Sequence, residues 1–559
     1  MKRPSKQILA CLLSSAVMAG MIPTVAVSAV SADTSNVIIH DTAGSLSITD
    51  ETANHIAVIN SVEDYENYTA KIEGPRASKG VSKLPSKVDN SANENAIYLP
   101  PVRDQGDIGA CVAWSTVYYQ YTYTINKAKG IPTTDFNTYS PNFAYNLVNG
   151  STNGGTFSYR VYDLLKNQGA VTIKDVPIKS TSQPQSNYLD WYAYDNIWEK
   201  ALDNRILSYT YYYSGDTSDA FYAQHGAYLD QNDAPITSPD SENLKLLKQV
   251  LYDGKILSFD SNISKWRTTS VKDSSKASNP QKYTIDNSAA GEYVAISQIY
   301  NPYSGTGHEM TIVGYNDEIW TDINNNNIVD EGEMGAFKMI NSFGTGDWYM
   351  STGNTMKNND GFLWIAYDAL NWHSSVSGVS DEIQESILHA VSSMEVNPQQ
   401  NNDSGYNLRY CLNTSARDAS PVTVTAVDKV TGEVISGNAV PFDYKFYSPS
   451  VSRSCTYAGE YYADASDGIM TIDLETIVPE LAEKGLENYD WSVTVGNYNN
   501  VYGNTVTVKD IRIIDKKAKK EYPMNAVAGF TFTEQTKTVN IPISDEPAPQ
   551  NQITIYYKG

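Results

Sequence analysis

The chain has 559 residues, a formal net charge of −23 at pH 7 and a hydrophobic fraction of 41%. The length predicts two to four domains with large buried cores, and the hydrophobic fraction excludes a mainly disordered chain. The acidic balance argues against nucleic acid as a partner, because phosphate binding needs clustered Lys and Arg. Four cysteines are too few for a protein held together by a disulfide framework.

The first 32 residues have the pattern of an export signal. Positive charges at Lys2, Arg3 and Lys6 precede a run of apolar and small residues over 8–30, and a small-residue cleavage site follows. A lasting membrane anchor is the alternative, but Ser, Gly and Pro interrupt the run. We therefore expect residues 1–32 to be removed and the mature chain to be secreted. No second long apolar run follows, so the mature chain is expected to have no transmembrane segment.

The next regions of the chain are a polar segment and a region of mixed helix and strand patterns. Residues 33–83 carry sparse apolar runs and are interpreted as a pro-segment or N-terminal extension. In residues 84–383, apolar periodicity and β-forming residues predict two helices and two strands. These elements are Val112–Lys129, which ends before Gly130, then Glu242–Asp253, Met310–Val313 and Phe337–Ile340.

Short alternating strands dominate residues 384–545. Turn residues separate them at regular intervals, which predicts an all-β sandwich. Cys411 and Cys455 both lie in this region, where they either pair across the sandwich or stay as two buried thiols. Residues 546–559 are interpreted as a linker and the beginning of a further module.

A lone cysteine stands at the beginning of the first predicted helix. At a helix N-terminus, partial positive charge and unpaired N–H groups favour a thiolate at Cys111. A buried structural cysteine is the alternative. A cysteine nucleophile needs a His for proton transfer and a third group that orients this His. His308 lies at the entry of one predicted strand, and Asn341 lies at the end of the next.

These residues resemble the papain family of cysteine peptidases in type and in order. The resemblance assigns Gln105, six residues before the cysteine, as the oxyanion-hole side chain and Cys111 as the nucleophile. It assigns His308 as base and acid and Asn341 as the residue that orients the imidazole. The activity of the family implies hydrolysis of a protein or peptide substrate, with no cofactor for catalysis.

The resemblance also implies a fold and a substrate contact. It spans about residues 84–380 and implies an α+β papain-like two-subdomain fold, with a helical left half and a β-barrel-like right half, before the β-sandwich. Gly154 and Gly155 match the glycine pair that presents backbone hydrogen bonds to an extended substrate. The whole order resembles exported clostridial cell-surface peptidases, whose second domain is called lectin-like. This implies a cell-wall or glycan surface as a further partner.

Three positions depart from the papain pattern. Ile108 stands where the family signature has its first cysteine, so the disulfide that is usual beside the nucleophile is missing. Val112 replaces the usual aromatic residue after the nucleophile. Phe343 stands where the family has a Trp that shields the His–Asn pair, and we expect the Phe ring to shield the pair here.

A second constellation lies between His308 and Asn341. Oxygen-bearing side chains occupy positions 1, 3, 5, 9 and 12 of a loop, and position 7 supplies a backbone carbonyl, as in the Ca²⁺ loop of an EF-hand. These residues are Asp322, Asn324, Asn326, Ile328, Asp330 and Glu333. An ordinary Asn- and Asp-rich turn is the alternative. The spacing favours a structural Ca²⁺ in a loop that caps a strand hairpin, without the paired helices.

Together these features predict a secreted or cell-surface cysteine endopeptidase made as a zymogen, in which residues 33–83 cover the site until cleavage. Two other functions stay open. One is a surface adhesin or carbohydrate-binding protein with a degenerate peptidase domain, although four intact site residues count against degeneracy. The other is a transpeptidase of the same fold, because hydrolysis and ligation share an acyl-enzyme.

Overall fold

The structure is a computed structural model. It describes residues 37–39, 46–48 and 83–543, with gaps at 151–152, 154, 180–187, 193–195, 215–241, 300–306, 350–354, 372–373, 380–383, 389, 397–403, 443, 445–454, 461–462, 499–503 and 527–528. The predicted signal at 1–32, most of the predicted pro-segment and the predicted module at 546–559 lie outside the described residues. None of the described helices is long and apolar enough to cross a membrane.

Helices and strands are both abundant in the described residues. The helices are α1, which runs without a break through Cys111–Ala113, Trp114–Tyr121 and Thr122–Lys129, then α2 (Pro141–Val148), α3 (Ser158–Asn167), α4 (Ile197–Leu202), α5 (Glu242–Tyr252) and α6 (Leu481–Lys484). The strands are β1 (Val37–Ile39), β2 (Leu46–Ile48), β3 (Lys87–Asp89), β4 (Ser208–Ser214), β5 (Leu257–Ser261), β6 (Trp266–Ser270), β7 (Tyr293–Ile299), β8 (His308–Trp320), β9 (Met334–Ile340), β10 (Trp348–Tyr349), β11 (Thr355–Met356), β12 (Phe362–Ala366), β13 (Gln384–Glu385), β14 (Ala390–Glu395), β15 (Tyr406–Thr414), β16 (Val422–Asp428), β17 (Val434–Asn438), β18 (Ser466–Asp473), β19 (Tyr489–Gly496), β20 (Val506–Asp515), β21 (Lys520–Pro523), β22 (Phe530–Phe532) and β23 (Thr536–Ile541).

The first predicted helix is confirmed as α1, which begins one residue earlier than predicted. Its middle segment, Trp114–Tyr121, is π-helical and all eight residues are buried. A helix that is covered on every side belongs inside a core, which explains its many apolar and aromatic residues. The helix ends at Gly130, whose φ of 65° is left-handed and costs glycine little. Gln120 ties the helix to the sheet, since its Nε2 donates to the backbone oxygens of Ile256 and Ser392 at 2.9 and 2.8 Å.

The chain forms two compact units, of which the first contains residues 1–134 and 208–395. Its main sheet has the strand order β13-β7-β12-β9-β8-β5-β14-β4, with β3 paired to β8 and β6 paired to β7. The β12–β7 pair is parallel and the other pairs are antiparallel. Apolar side chains of neighbouring strands meet in the core, among them Phe259, Ile312, Met339 and Leu363. This core holds β5, β8 and β9 in place.

The second unit contains residues 135–207 and 396–559. It combines α2, α3 and α4 with two antiparallel sheets, of order β18-β15-β20-β21, with β22 on β20, and β17-β16-β19-β23. Every second residue of Val422–Asp428 is buried, which is the pattern of a strand with one covered face. Ser140 begins α2 by accepting a hydrogen bond from the backbone N–H of Phe143 at 3.3 Å, and Pro141 stands at the first helical position.

The division into units differs from the predicted domain boundaries in two places. Strands β13 and β14 lie beyond the predicted boundary at residue 383, yet they pair within the main sheet of the first unit. Residues 135–207, inside the predicted peptidase region 84–383, are grouped with the C-terminal sheets. Both differences come from contacts between residues that are far apart in the chain, which local sequence patterns do not encode.

The two cysteines of the C-terminal region are buried thiols. Cys411 and Cys455 form no disulfide in the described residues, which decides between the two alternatives left open by the sequence. Burial raises the pKa of Cys411 to about 12 and that of Cys455 to about 11. Both thiols are therefore protonated and poorly nucleophilic at neutral pH.

Candidate active site

Cys111 is the first residue of α1. The preceding residue, Ala110, is the N-cap, and its carbonyl accepts the first helical hydrogen bond from the N–H of Trp114 at 2.9 Å. The Cys111 side chain is 5% exposed and forms no disulfide. A thiol at this position lies in the positive field of the helix N-terminus, which favours the thiolate. The predicted position of the candidate nucleophile at a helix start is confirmed.

The pairing of β8 with β9 brings His308 and Asn341 together. In this antiparallel ladder Thr311 lies opposite Ile340, so the start of β8 meets the residues that follow β9. The Nε2 of His308 and the Oδ1 of Asn341 are 2.8 Å apart. The His308 side chain is 2% exposed, and its Nδ1 has no hydrogen-bond partner in the structure. With Nε2–H donating to the amide oxygen, Nδ1 carries the lone pair that can take a proton.

The ring of Phe343 covers the imidazole. The two ring centroids are 4.4 Å apart and the ring planes differ by 25°, a stacked arrangement. Phe343 is itself buried, with 9% exposure, and it packs edge-on against Trp348. The expected aromatic shield over the His–Asn pair is therefore present. A dry environment strengthens the hydrogen bond between His308 and Asn341.

Gln105 is fixed to the residue that follows Asn341. Its backbone N–H donates to the carbonyl of Ser342 at 2.8 Å, and the Ser342 hydroxyl donates to its Oε1 at 2.6 Å. The Nε2 of Gln105 donates to the carbonyl of Ile108 at 2.9 Å, three residues before Cys111. Because the Ser342 hydroxyl donates to Oε1, the other terminal atom of the Gln105 side-chain amide is the donor nitrogen Nε2. Sequence reasoning missed Ser342, although its position next to Asn341 was a usable signal.

A buried hydroxyl network connects the cysteine helix to the histidine strand. Ser115 lies one helical turn after Cys111, and its Oγ is 2.6 Å from the carbonyl of Met310. The same Oγ is 2.7 Å from the Oγ of Ser258 and 2.8 Å from the Oγ1 of Thr311. These bonds fix the first turns of α1 against β5 and β8. The sequence shows the four-residue spacing from Cys111, but only the fold brings the partners to it.

The residue after His308 is a buried carboxyl group that sequence reasoning also missed. Glu309 is 4% exposed, lies directly opposite Asp260 in the β5–β8 ladder, and accepts a hydrogen bond from Ser258 at 2.6 Å. Burial, followed by the charge of Asp260, raises the pKa of Glu309 well above its ordinary value, and Cys111 contributes in the same direction. A neutral Glu309 leaves the neighbouring thiolate without a repelling charge.

Replacing Glu309 by Gln is expected to reduce the pH dependence of stability. In the unfolded chain this glutamate ionises above its ordinary pKa of 4.5, while the folded side chain keeps its proton, so wild-type stability falls as pH rises through this window. Gln retains the acceptor for Ser258 but cannot ionise. The variant should gain in Tm relative to wild type between about pH 4 and about pH 8. A Tm difference that is the same at both pH values would contradict the buried neutral carboxyl.

The predicted glycine pair is only partly described. Gly154 lies outside the described residues. Gly155 belongs to the second unit, shortly before α3, and has a φ of 85°, which a residue with a Cβ rarely adopts. The role of Gly154 and Gly155 in substrate binding stays a prediction.

The predicted calcium loop connects β8 to β9 and thus caps a hairpin, as expected. Asn325 and Asn327 both have a left-handed φ of 58°, so Asn327 takes the backbone shape that Gly has at position 6 of an EF-hand loop. The Oδ1 atoms of Asp322 and Asn324 accept from the N–H of Asn326 at 3.0 and 3.1 Å. The loop is therefore wrapped around its own polar side chains.

The side chains of this loop carry oxygen atoms of the kind that Ca²⁺ binds, but those of Asn324 and Asn326 would have to rotate to bind the ion. Asp330 Oδ2 accepts from the Nδ2 atoms of Asn324 and Asn326, both at 2.7 Å. An amide has an acceptor oxygen as well as a donor nitrogen, so both Asn side chains can turn an oxygen toward a cation. Burial raises the pKa of Glu333, although Trp320 and backbone N–H groups hydrogen-bond to it. No group of three or more His, Cys, Asp or Glu in the described residues is arranged to hold a metal, so the carboxylates of this loop do not form such a group by themselves.

No family model and no curated protein matches the chain. Xylellain, a cysteine protease from Xylella fastidiosa, is 16% identical with a TM-score of 0.32, over 56% of this chain and 88% of that chain. The cysteine protease and lectin-like domains of Cwp84, a surface layer associated protein of Clostridium difficile, are 11% identical with a TM-score of 0.30, over 86% and 96%.

A third similar structure is proCathepsin B S9 from Trypanosoma congolense, which is 14% identical with a TM-score of 0.29, over 57% of this chain and 80% of that chain. The structural neighbours of the chain are thus papain-like cysteine proteases, and they include Cwp84 with its lectin-like domain. This is the family that the sequence resembles.

Proposed function

We propose that the chain is a cysteine endopeptidase that hydrolyses peptide bonds of a protein substrate. The observation that carries the proposal is the 2.8 Å contact between His308 Nε2 and Asn341 Oδ1, which leaves a buried Nδ1 without a partner. In the same unit a buried cysteine begins a helix. A nucleophile, a base and a group that orients the base are the parts that acyl transfer requires.

In the proposed mechanism the proton of the Cys111 thiol moves to Nδ1 of His308. The thiolate attacks the carbonyl carbon of the scissile bond, and the new oxyanion accepts hydrogen bonds from the Gln105 amide and the Cys111 backbone N–H. The imidazolium gives its proton to the leaving amine, which departs and leaves a thioester on Cys111. His308 then takes a proton from water, and the hydroxide attacks the thioester and releases the carboxylic acid and the Cys111 thiolate. His308 returns its proton to this thiolate, which restores the starting state.

Asn341 and Ser342 prepare this site before the substrate arrives. The Asn341 oxygen accepts from Nε2–H, which fixes the tautomer with its lone pair on Nδ1 and stabilises the imidazolium when it forms. The Ser342 hydroxyl holds Oε1 of Gln105, so that the nitrogen end of the amide serves as donor. Such preorganised donors stabilise charge without the cost of reorientation.

The proposal extends to the parts of the chain around this site. Residues 1–32 direct secretion, residues 33–83 keep the enzyme inactive as a zymogen, and a two-subdomain papain-like fold precedes a lectin-like β-sandwich. The export signal at residues 1–32 supports an extracellular or cell-surface location, and the proposal includes a cell-wall or glycan surface as a further partner. An adhesin with a degenerate site and a transpeptidase are the alternatives.

Thiol labelling tests the proposed function. Reduced protein without its pro-segment should cleave casein, and pretreatment with a thiol-reactive epoxide should abolish this cleavage. The label is expected on Cys111 alone, because the raised pKa values of Cys411 and Cys455 keep those thiols protonated. Cleavage that persists after complete labelling of Cys111 would refute the peptidase proposal, and an inert wild type would favour the adhesin. Ligation of an added amine in place of hydrolysis would favour the transpeptidase.

We further propose that Asp322, Asn324, Asn326, Ile328, Asp330 and Glu333 hold a structural Ca²⁺. When bound, the ion would supply positive charge to the loop that joins the strand of His308 to the strand before Asn341. The left-handed backbone conformation of Asn325 and Asn327, with which the loop curls around its own polar side chains, supports the proposal.

Removal of calcium is expected to lower the Tm. A single site filled at about one hundred times its Kd contributes about 2.7 kcal/mol, and EDTA should remove this contribution. In the Asp322→Ala, Glu333→Ala double variant, EDTA should have no effect on the Tm. An equal EDTA effect in wild type and double variant would contradict this site, and so would the absence of any effect in wild type.

A further inference from the structure

Tyr119 joins the helix of Cys111 to the backbone of Asn341. Its hydroxyl donates at 3.2 Å to the carbonyl of Asn341, which lies 222 positions further along the chain. The side chain is 1% exposed, and burial raises the pKa of Tyr119 far above its ordinary value, so the hydroxyl keeps its proton and remains a donor. Tyr119, Cys111 and Asn341 all belong to the first unit. The contact therefore lies within one compact unit.

The backbone of Asn341 is held at both of its polar groups. Its N–H donates to the carbonyl of Gly361 at 3.1 Å, and its carbonyl accepts from Tyr119. Its side-chain oxygen lies 2.8 Å from Nε2 of His308 and accepts from the N–H of Ser342 at 2.7 Å. The first bond attaches Asn341 to the residue before β12, and the second attaches it to α1. The direction of the side-chain oxygen toward the imidazole therefore depends on both.

The same hydroxyl lies next to the segment that carries the candidate oxyanion residue. It is 3.5 Å from the backbone N–H of Arg103, two residues before Gln105. This segment pairs with the chain that follows Asn341, since the N–H of Gly344 donates to the carbonyl of Arg103 at 3.2 Å. The Tyr119 hydroxyl is therefore placed where these two segments of the candidate site come together.

The π-helical middle of α1 explains how a residue eight positions after Cys111 reaches the same site. In an α-helix, position 119 would be turned by about 80° from position 111, because eight residues make about 2.2 turns. A π-helix closes its hydrogen bonds over five residues, so its turn is wider and each residue rotates less. Because Trp114–Tyr121 is π-helical, Tyr119 comes closer to the helix face of Cys111. Single π-helical turns are frequent at functional sites.

We propose that Tyr119 is a positioning residue for Asn341 and, through Asn341, for the imidazole of His308. The proposal rests on the proposed function for the role of His308 as the base. The hydroxyl fixes the Asn341 backbone, which in turn holds the side-chain oxygen in line with Nε2–H. This oxygen stabilises the imidazolium, so a displaced Asn341 should weaken the pair of thiolate and imidazolium. Because Tyr119 acts on the Asn341 backbone, its effect should depend on the presence of the Asn341 side chain.

Tyr119→Phe removes the hydroxyl and keeps the buried ring. With active sites counted by epoxide titration, kcat should fall about three-fold to ten-fold, as expected for one lost hydrogen bond, and KM should not change. Tyr123→Phe is the matched control, because Tyr123 is a buried tyrosine of the same helix whose hydroxyl donates to the carbonyl of Gly254 at 3.0 Å. It should keep the wild-type kcat. An unchanged kcat in Tyr119→Phe, or an equal loss in Tyr123→Phe, would overturn the positioning role.

A double-mutant cycle separates action through Asn341 from a general loss of structure. Asn341→Ala removes the side chain and keeps the backbone carbonyl that Tyr119 holds. In this background Tyr119→Phe should cause no further loss of kcat, because the oxygen that the hydroxyl positions is already gone. A merely structural role would give the same loss in both backgrounds, and this additive result would overturn the proposal.

Alkylation of Cys111 by iodoacetamide gives a readout that needs no substrate. The rate follows the thiolate, so its pH profile reports how well the imidazolium stabilises this thiolate. In Tyr119→Phe the acid limb should move to higher pH by about half a unit to one unit, the equivalent of a three-fold to ten-fold weaker pair. In Tyr123→Phe it should stay in place. Glu309 acts on the Cys111 charge and Asp260 lies opposite Glu309, and both are present in every variant.

This profile also distinguishes the two proposals. Identical acid limbs in wild type and Tyr119→Phe would overturn the positioning role, even if kcat falls. If wild type shows no Cys111-dependent cleavage of peptides, the proposed function fails, and the alkylation profile still decides whether Tyr119 positions the pair of Cys111 and His308.

Discussion

Replacing Cys111 by Ala is expected to reduce kcat/KM for peptide hydrolysis by between about 10⁴-fold and about 10⁶-fold. The covalent route divides one difficult displacement into two easier steps, and without the thiolate neither step can occur. The remaining groups, Gln105 and His308, can still bind the substrate and polarise water, so a small residual rate is expected. Steady-state hydrolysis of a fluorogenic peptide, with the variant folded to the same Tm as wild type, measures the effect.

The buried cysteines of the C-terminal region provide the control for this variant. Cys411→Ala and Cys455→Ala remove thiols of similar size, neither of which is paired. Each should leave kcat/KM within about two-fold of wild type, because a small hydrophobic side chain can take the place of a structural thiol. A large loss in either control together with an active Cys111→Ala variant would move the nucleophile away from Cys111.

The second large effect is expected at Gln105. Gln105→Ala should lower kcat by about 10²-fold to 10³-fold, since one oxyanion donor is lost in the transition state. KM should change little, because the ground-state carbonyl carries less charge than the oxyanion. Ser342→Ala should act in the same direction with a smaller effect, because Gln105 keeps its side chain and loses only the bond that orients it.

The comparison of kcat with KM distinguishes this role from simple substrate contact. A rise in KM with an unchanged kcat in Gln105→Ala would show that Gln105 stabilises the bound substrate and the transition state equally. This result would contradict the oxyanion role. Gln105→Glu is the matched variant, since it keeps the size and the acceptor for Ser342 but replaces the donor nitrogen by an oxygen. It should be at least as impaired as Gln105→Ala, because a carboxylate repels the developing oxyanion.

The local part of the site could be predicted from the sequence. The helix that begins at Cys111 could be predicted because apolar residues follow this cysteine and Gly130 marks the end of the helix. His308 and Asn341 stand at the ends of two strands that a single loop connects, and such strands pair as a hairpin. In such a hairpin the start of the first strand lies next to the end of the second. The approach of His308 to Asn341 could therefore be predicted from the local sequence pattern alone.

The long-range part could not be predicted. Glu309 is an ordinary acidic residue in the sequence, and its burial opposite Asp260 depends on β5, which lies about fifty residues earlier in the chain. The attachment of residues 135–207 to the C-terminal sheets depends on side chains such as Arg417 and Trp191, whose partners lie more than two hundred residues away. Patterns of period 2 or 3.6 report which face is buried, but they do not report what covers it.

The most direct test of the proposed mechanism is detection of the acyl-enzyme. Reduced protein is mixed with an activated ester of a blocked amino acid, quenched in acid within the first turnover and mapped by peptide mass analysis. The mechanism predicts the acyl mass on the peptide that contains Cys111, and its absence in Cys111→Ala. Product formation by wild type without this adduct, or an adduct on Cys411 or Cys455, would contradict Cys111 as the nucleophile.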